Sequence, residues 1–234
     1  MKNTRINLIV ACAGLSLSIA AFAPSAHANL IVDPSFESNA LTTDVNVLGN
    51  FPVYQGVWGQ ELSTITGPDD GVIPAAGVKQ LRMAYTGSYT QAFQPIDVTA
   101  SAGLIDSGGA AVNMNALYNA NVPAALGAIA VSFFTTNTYG SLTGTAINSF
   151  TLDASANSWE PLAVNAPIPA GTRWLLAQVA YQDASLMASD GTIHPGFVDA
   201  ADLTIRAVPE PAAMLSGLIF GGLALIRRRR MPTA

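Results

Sequence analysis

Few side chains in this sequence can act as nucleophiles or general bases, and most of its chemically active groups are carboxylates. The only cysteine is Cys12, and His194 is the only histidine after residue 28. No G-x-S-x-G segment precedes His194, and the following Pro195 and Gly196 are typical of a turn. One imidazole also leaves a histidine-based zinc site without a second ligand of its kind. We therefore expect no cysteine-, serine- or zinc-based catalysis.

Paired carboxylates are the remaining catalytic alternative, because glycoside hydrolysis needs two carboxyl groups roughly 5–10 Å apart. Asp153 and Glu160 form such a pair by proximity in the sequence. Residues 153–157 are more simply explained as a solvated turn, and no motif supports either residue. We predict a protein that is not an enzyme, with a glycosidase or lyase as the less favoured alternative.

Charge is distributed unevenly along the 234 residues, half of which are hydrophobic and only 11% charged. All fifteen acidic residues lie within residues 29–210, and that segment holds four basic residues, giving 4 − 15 = −11. No basic stripe exists, so nucleic acid is not an expected partner. The negative charge suits divalent cations and solubility outside the cell.

The N-terminal residues 1–28 have the pattern of a signal peptide. Lys2 and Arg5 precede an apolar stretch over residues 6–23, and residues 26–28 give the small-x-small pattern of a signal peptidase site. We expect cleavage before Asn29. The alternative is a lipoprotein signal at Cys12, but the apolar stretch continues well beyond that cysteine.

A second apolar stretch, residues 212–226, lies near the C-terminus and is followed by Arg227, Arg228, Arg229 and Arg230. As a helix it would be roughly 22 Å long, whereas a stable span needs about 30 Å. The four arginines would hold this short transmembrane helix by staying on the cytoplasmic side.

The residues before that helix complete a recognisable arrangement. Val208, Pro209, Glu210 and Pro211, the apolar helix and the basic cluster together resemble a PEP-CTERM sorting signal over residues 207–234. The resemblance implies that a membrane protease-transpeptidase, exosortase, recognises the motif and removes the helix. The protein would then pass from the inner membrane to the cell surface of a bacterium that makes exopolysaccharide. A plain tail anchor is the alternative, but it leaves the paired prolines unexplained.

The intervening residues 29–206 have the pattern of short β-strands. Glycine, proline, asparagine and threonine punctuate apolar runs that are too short for typical helices. Residues 112–119 alternate between apolar and polar side chains, which predicts a strand with one buried face. Further strands are predicted at residues 89–98, 129–134, 147–152, 159–164, 174–181 and 198–205, and a brief helical turn at 120–127. This spacing favours one all-β, antiparallel sandwich resembling a jelly roll.

The two ends of this domain carry a second resemblance. Residues 29–37 resemble the opening strand, and residues 197–205 the closing strand, of jelly-roll carbohydrate-binding modules. The resemblance implies that these strands pair and that a structural Ca²⁺ is held by Glu37 and Asp199, with Asp33, Pro34 and Ala200 departing from the usual pattern. Carboxylate oxygens are chemically suitable for calcium. The alternative is that both carboxylates lie at the surface without a metal.

Sugar binding would need exposed aromatic rings. Trp58 is flanked by Gly56 and Gly59, which predicts open surroundings, and Tyr118 lies on an alternating strand. We predict these two as ligand-binding residues, although aromatic residues on strands more often pack inside a sheet protein.

Together these features predict an exported surface protein that is a non-catalytic binding or structural component of the exopolysaccharide or biofilm matrix. Signal peptidase, exosortase, the inner membrane before sorting and a polysaccharide are the expected partners. The alternative is a coat or adhesive domain without a sugar site.

Overall fold

The computed structural model describes residues 28–38, 41–42, 56–84, 90–122, 124–182 and 194–208. Within these ranges the chain forms strands that are joined mainly by turns and short loops. The strands are β1 (Leu41–Thr42), β2 (Trp58–Glu61), β3 (Ser63–Thr66), β4 (Gln80–Met83), β5 (Thr90–Asp97), β6 (Ala110–Ala120), β7 (Leu126–Phe134), β8 (Leu142–Thr151), β9 (Glu160–Pro167), β10 (Trp174–Gln182) and β11 (Gly196–Ala207). A 3₁₀ turn and the short helix α1 (Ala102–Asp106) follow β5, and a second 3₁₀ turn, Tyr139–Ser141, precedes β8.

These strands form two sheets that face one another as a β-sandwich. The six-stranded sheet has the order β1-β2-β5-β10-β7-β8, and the five-stranded sheet has the order β3-β4-β11-β6-β9. Every neighbouring pair is antiparallel except β1 and β2. The predicted fold class, an antiparallel jelly-roll-like sandwich, is confirmed.

Strand alternation builds the core between the sheets, because successive side chains of a strand point to opposite faces. On β6, Val112 and Met114 are fully buried in the core, while Asn113 and Asn115 on the other face are partly exposed. On β7, Phe133 joins the main core and Phe134 packs on the outer face. The alternation on β6 agrees with the sequence-based prediction.

The beginning of the domain lies against its last strand, as the resemblance implied. Asn29 Nδ2 donates to the backbone oxygen of Ala201 at 3.0 Å, and Leu30 N donates to that of Leu203 at 2.8 Å. The segment from 28 to 38 consists of turns and bends rather than a regular strand. A register shift between Asp199 and Asp202 interrupts the pairing of β11 with β6 at this point.

The predicted helical turn over residues 120–127 is wrong for the residues described there. Strand β6 continues to Ala120, and Val122 and Ala125 are buried in the core before β7 begins. The oxygen of Ala125 accepts a hydrogen bond from Leu152 N at 2.8 Å, so the connection is tied to the core. The described α-helix is α1 instead, which buries Ile105.

The predicted signal peptide up to residue 27, the predicted apolar helix, the basic cluster and the part of the predicted sorting motif after Val208 lie outside the described residues. Val208 itself is exposed, and its N–H donates to the oxygen of Gly109 at 2.8 Å. In the described part of the chain, no helix is long and apolar enough to cross a membrane.

Candidate functional site

The outer face of the six-stranded sheet combines aromatic and amide side chains. Gln91 and Phe93 of β5 point outwards, whereas Ala92 between them is part of the core. The same alternation on β10 places Leu176 and Gln178 on the outer face. The pairing registers bring these positions beside one another, because Gln178 lies opposite Phe93 and Ala180 opposite Gln91.

Two adjoining cavities form a groove on this face. The first, with a volume of about 370 Å³, is lined by residues that include Glu61, Gln91, Phe93, Phe134, Tyr139 and Gln178. The second, of about 350 Å³, continues from Gln91 and Gln178 to Ile147, Ser149 and Gln182. Since both cavities share Gln91 and Gln178, these two glutamines lie at the centre of the groove. We refer to both cavities together as the sheet groove.

A chain of hydrogen bonds fixes the polar centre of the sheet groove. Gln178 Nε2 donates to Gln91 Oε1, and Gln91 Nε2 donates to Glu61 Oε2 at 2.5 Å. An amide has two N–H donors and one oxygen acceptor, so each glutamine keeps a second N–H for another partner. Oriented amides beside a carboxylate suit the recognition of ligand hydroxyl groups.

One end of the sheet groove is apolar and aromatic. Phe93, Phe134 and Leu176 form a separate outer cluster, against which Tyr139 and Trp174 pack. The rings of Phe134 and Tyr139 meet edge to face, with centroids 6.1 Å apart. Partial burial raises the pKa of the Tyr139 hydroxyl, and the negative charge of Glu61 raises it further. Glu61 and Tyr139 line the same cavity.

Trp58 does not provide the exposed stacking ring predicted from the sequence. Its side chain is 1% exposed, its Nε1 donates to the oxygen of Asp33 at 3.1 Å, and its ring lies 5.1 Å from that of Phe36. The glycines on either side of Trp58 have structural roles other than keeping its surroundings open. Gly56 has a φ of +80°, and a Cβ on Gly59 would lie 2.8 Å from the Phe93 ring.

Tyr118, the second predicted ligand-binding residue, is also in the core. Its side chain is fully buried, and its hydroxyl donates to the oxygen of Ala128 on β7. Burial raises the pKa of this hydroxyl, so Tyr118 stays neutral. The prediction that Tyr118 binds a ligand from solvent is wrong because alternation on β6 points its ring inwards, towards the other sheet.

Glu37 and Asp199, the predicted calcium ligands, bind the same loop before β4. Glu37 Oε1 accepts hydrogen bonds from Val78 N at 2.8 Å and Lys79 N at 2.9 Å, and Asp199 Oδ2 accepts one from Ala76 N at 2.8 Å. Burial raises the pKa of Asp199, and the charge of Glu37 adds to this increase. The structure thus brings together two carboxylates that are distant in the sequence.

The donor chemistry of this pair fits a hard cation, because both residues offer carboxylate oxygens and Asp199 is buried beside a second negative charge. The two residues supply only part of the six to eight oxygens that calcium takes. No group of three or more His, Cys, Asp or Glu residues suited to a metal occurs in the described ranges. Lys79 Nζ also donates a hydrogen bond to the backbone oxygen of Glu37 at 2.7 Å. Calcium at Glu37 and Asp199 stays a prediction.

The residues considered for catalysis have structural contacts. Asp153 accepts hydrogen bonds from Ser155 N at 3.0 Å and from Ser158 Oγ, which is the pattern of a side-chain-stabilised turn. Glu160 Oε2 accepts one from Asp153 N at 2.8 Å. The oxygen of His194 accepts a hydrogen bond from the Tyr181 hydroxyl at 3.4 Å.

The sequence analysis missed the polar centre of the sheet groove. Gln178 had a detectable signal, since it is a polar residue between apolar neighbours inside strand β10. Glu61 had no such signal, because it lies at the end of β2, a strand of four residues that was not predicted. Which polar residues share one groove depends on strand pairing, which single-strand patterns do not contain.

Comparisons with known proteins give matches only among solved structures. No family model and no curated protein matches the chain. A xylan-binding domain from Paenibacillus barcinonensis is 13% identical, with a TM-score of 0.47, and the match covers 80% of this chain and all of that one. A carbohydrate-binding module in complex with β-1,4-galactotriose has 11% identity and a TM-score of 0.49 over 77% of this chain and 99% of its own.

The similar structures also include an enzyme. A cyclase from Fischerella sp. TAU is 9% identical, with a TM-score of 0.49, and the match covers 79% of this chain and all of the cyclase.

Proposed function

We propose that this chain is a non-catalytic polysaccharide-binding protein and that the glycan lies in the sheet groove. The observation that carries this proposal is the hydrogen-bonded centre made by Glu61, Gln91 and Gln178 beside the aromatic cluster. Sugars present hydroxyl groups at their edges and apolar C–H faces, so they need oriented polar groups together with aromatic or apolar surface. The sheet groove offers both within two adjoining cavities.

Affinity electrophoresis of the purified protein through gels containing a panel of polysaccharides tests this proposal. Gln178→Ala should weaken retention roughly tenfold, since it removes the central hydrogen bonds. Asn165→Ala is the matched control because it removes an exposed amide from β9 on the other sheet, where Asn165 Oδ1 accepts from Arg206. Equal retention of the two variants would show that the glycan binds elsewhere, and no retention of any polysaccharide would reject glycan binding.

We also propose that the protein is exported and sorted through residues 207–234, acting at the cell surface or in the exopolysaccharide matrix. Signal peptidase would remove residues 1–28, and exosortase would cleave near Val208 to Pro211. The support is the sequence pattern alone. Intact mass of the protein recovered from its native cells tests both cleavages. A chain that ends at Ala234 and stays in the membrane would indicate an ordinary tail anchor, as would unchanged processing after alanine replacement of residues 209–211.

Calcium at Glu37 and Asp199 is the third proposal for this chain. The ion would neutralise two carboxylates at the junction of the first segment, the loop before β4 and β11. Bound calcium stabilises the folded chain by mass action, so a chelator should lower the melting temperature of the wild-type protein. Glu37→Ala should abolish that response. If chelator leaves the melting temperature of the wild-type protein unchanged, the proposal of a bound calcium ion is wrong.

A coat or adhesive function without a sugar site is the second candidate, and one observation favours it. Strand β8 is a ten-residue edge strand without charged residues, and Leu142 and Ile147 on it are 52% and 68% exposed. Natural edges usually carry charges or prolines that prevent pairing with another chain. This function predicts concentration-dependent self-association in sedimentation measurements, reduced by Ile147→Lys, with no saturable glycan binding.

A further inference from the structure

Glu61 brings a negative charge to the sheet groove, and the domain has no cation left to neutralise it. Residues 29–207 contain four Lys and Arg residues. Each contacts an oxygen elsewhere: Lys79 the Glu37 carbonyl at 2.7 Å, Arg82 the Asp69 carboxylate at 2.7 Å, Arg173 the Asp106 carboxylate at 2.7 Å and Arg206 the Asn165 amide at 2.9 Å. The described side-chain partner of Glu61 is the neutral amide of Gln91.

The groups around Glu61 are those that bind ammonium ions. Phe93, Phe134 and Tyr139 line the same cavity, in which Tyr139 is partly exposed whereas Phe93 and Phe134 are 5% and 2% exposed. Aromatic faces attract cations, and a carboxylate forms charge-assisted hydrogen bonds with an ammonium group. An anionic sugar unit would instead be repelled by the Glu61 carboxylate and by the negative net charge of the domain.

We propose that the first cavity selects a glycan with free amino groups, with the sugar ammonium group placed between Glu61 and the Tyr139 ring. This inference rests on the proposed glycan-binding function and names the substrate class of the same groove. The neighbouring amides of Gln91 and Gln178 then contact hydroxyl groups of the same or the next sugar unit. The ligand class is a partly or fully deacetylated amino-sugar polymer rather than an acidic one.

Calorimetric titration with three oligomers of equal length tests this selection: a β-1,4-linked glucosamine oligomer, its N-acetylated form and the corresponding glucose oligomer. The wild-type protein should bind the amine form about tenfold more tightly than the other two, a difference of about 1.4 kcal/mol. Glu61→Gln should remove this preference, so that the variant binds the amine form no more tightly than the glucose oligomer. Glu61→Asp, which keeps the charge, should retain part of it.

Asp70→Asn is the matched control, because it removes one negative charge from an exposed turn after β3 of the other sheet. Asp70 has a φ of +49°, which asparagine tolerates. The control should keep the full preference for the amine form. Equal affinities of the wild type for all three oligomers would overturn the inference and leave glycan binding standing. A preference that survives in Glu61→Gln would also overturn it, since it would then arise from overall charge. Absence of binding by all three and by every polysaccharide in the gels would reject the proposed function itself.

Discussion

Replacement of Trp58 by phenylalanine separates a core role of this residue from a sugar-binding role. The structure places its ring in the core with 1% exposure, against Phe36, and gives its Nε1 a hydrogen bond to the Asp33 carbonyl. Losing that bond costs about 1 kcal/mol. Removing ring atoms from a filled core adds about 1 kcal/mol, so the free energy of unfolding should fall by about 2 kcal/mol.

For a domain of this size, that loss corresponds to a decrease of roughly 4–8 °C in melting temperature. Thermal and denaturant unfolding of the purified protein measure it, and the denaturant dependence of the unfolding free energy should not change. Trp174→Phe is the control, because Trp174 is partly exposed on the outer face beside Phe134. It should lower the melting temperature less.

Polysaccharide retention of Trp58→Phe, measured well below its melting temperature, should equal that of the wild type. The opposite outcome, an unchanged melting temperature with lost retention, would show that Trp58 faces solvent and contacts the glycan. That result would refute the assignment of the inner and outer faces of β2.

Two further predictions concern stability. Gly127→Ala should destabilise the fold by about 1–3 kcal/mol in denaturant unfolding, because its Cβ would lie 2.9 Å from the buried Tyr118 ring. Gly144→Ala is the control and should change the free energy of unfolding little, because the nearest contact of its Cβ would be at 3.8 Å. Equal effects of the two substitutions would contradict this packing. The hydrogen bond from Arg173 lowers the pKa of Asp106 below the ordinary value of an aspartate, so the stabilisation by the ionised carboxylate is present at neutral pH and is lost as the pH falls through the lowered pKa. The melting temperature of Asp106→Asn should therefore lie below that of the wild type at pH 7 and converge with it below about pH 4, and a constant difference down to pH 2 would exclude this linkage.

The strands with strong local patterns were predictable from the sequence. Alternation over residues 112–119 identified β6 and its buried face, and β10 and β11 were predicted nearly at their observed bounds. The shorter β2, β3 and β4 were not predicted, since four residues carry too little periodicity. The helical turn was placed after β6 rather than at α1, because small apolar residues such as Ala125 fit a core connection as well as a helix.

The candidate site was much less predictable. Trp58 and Tyr118 were chosen because aromatic rings can stack on sugars, but in this β-sandwich both rings are buried in the core. Glu37 and Asp199 were correctly expected to come near one another, as the resemblance of the two end segments implied. Calcium at this pair stays a prediction.

By itself, the sequence determined the pattern of the longer strands, the negative charge of residues 29–210 and the shortage of catalytic side chains, because these depend on local order and composition. Only the tertiary structure decided that Glu61, Gln91 and Gln178 meet on one face and that all four cations of residues 29–207 are engaged elsewhere. The physical reason is that alternation fixes two faces for each strand, while the pairing of distant strands decides which side chains become neighbours.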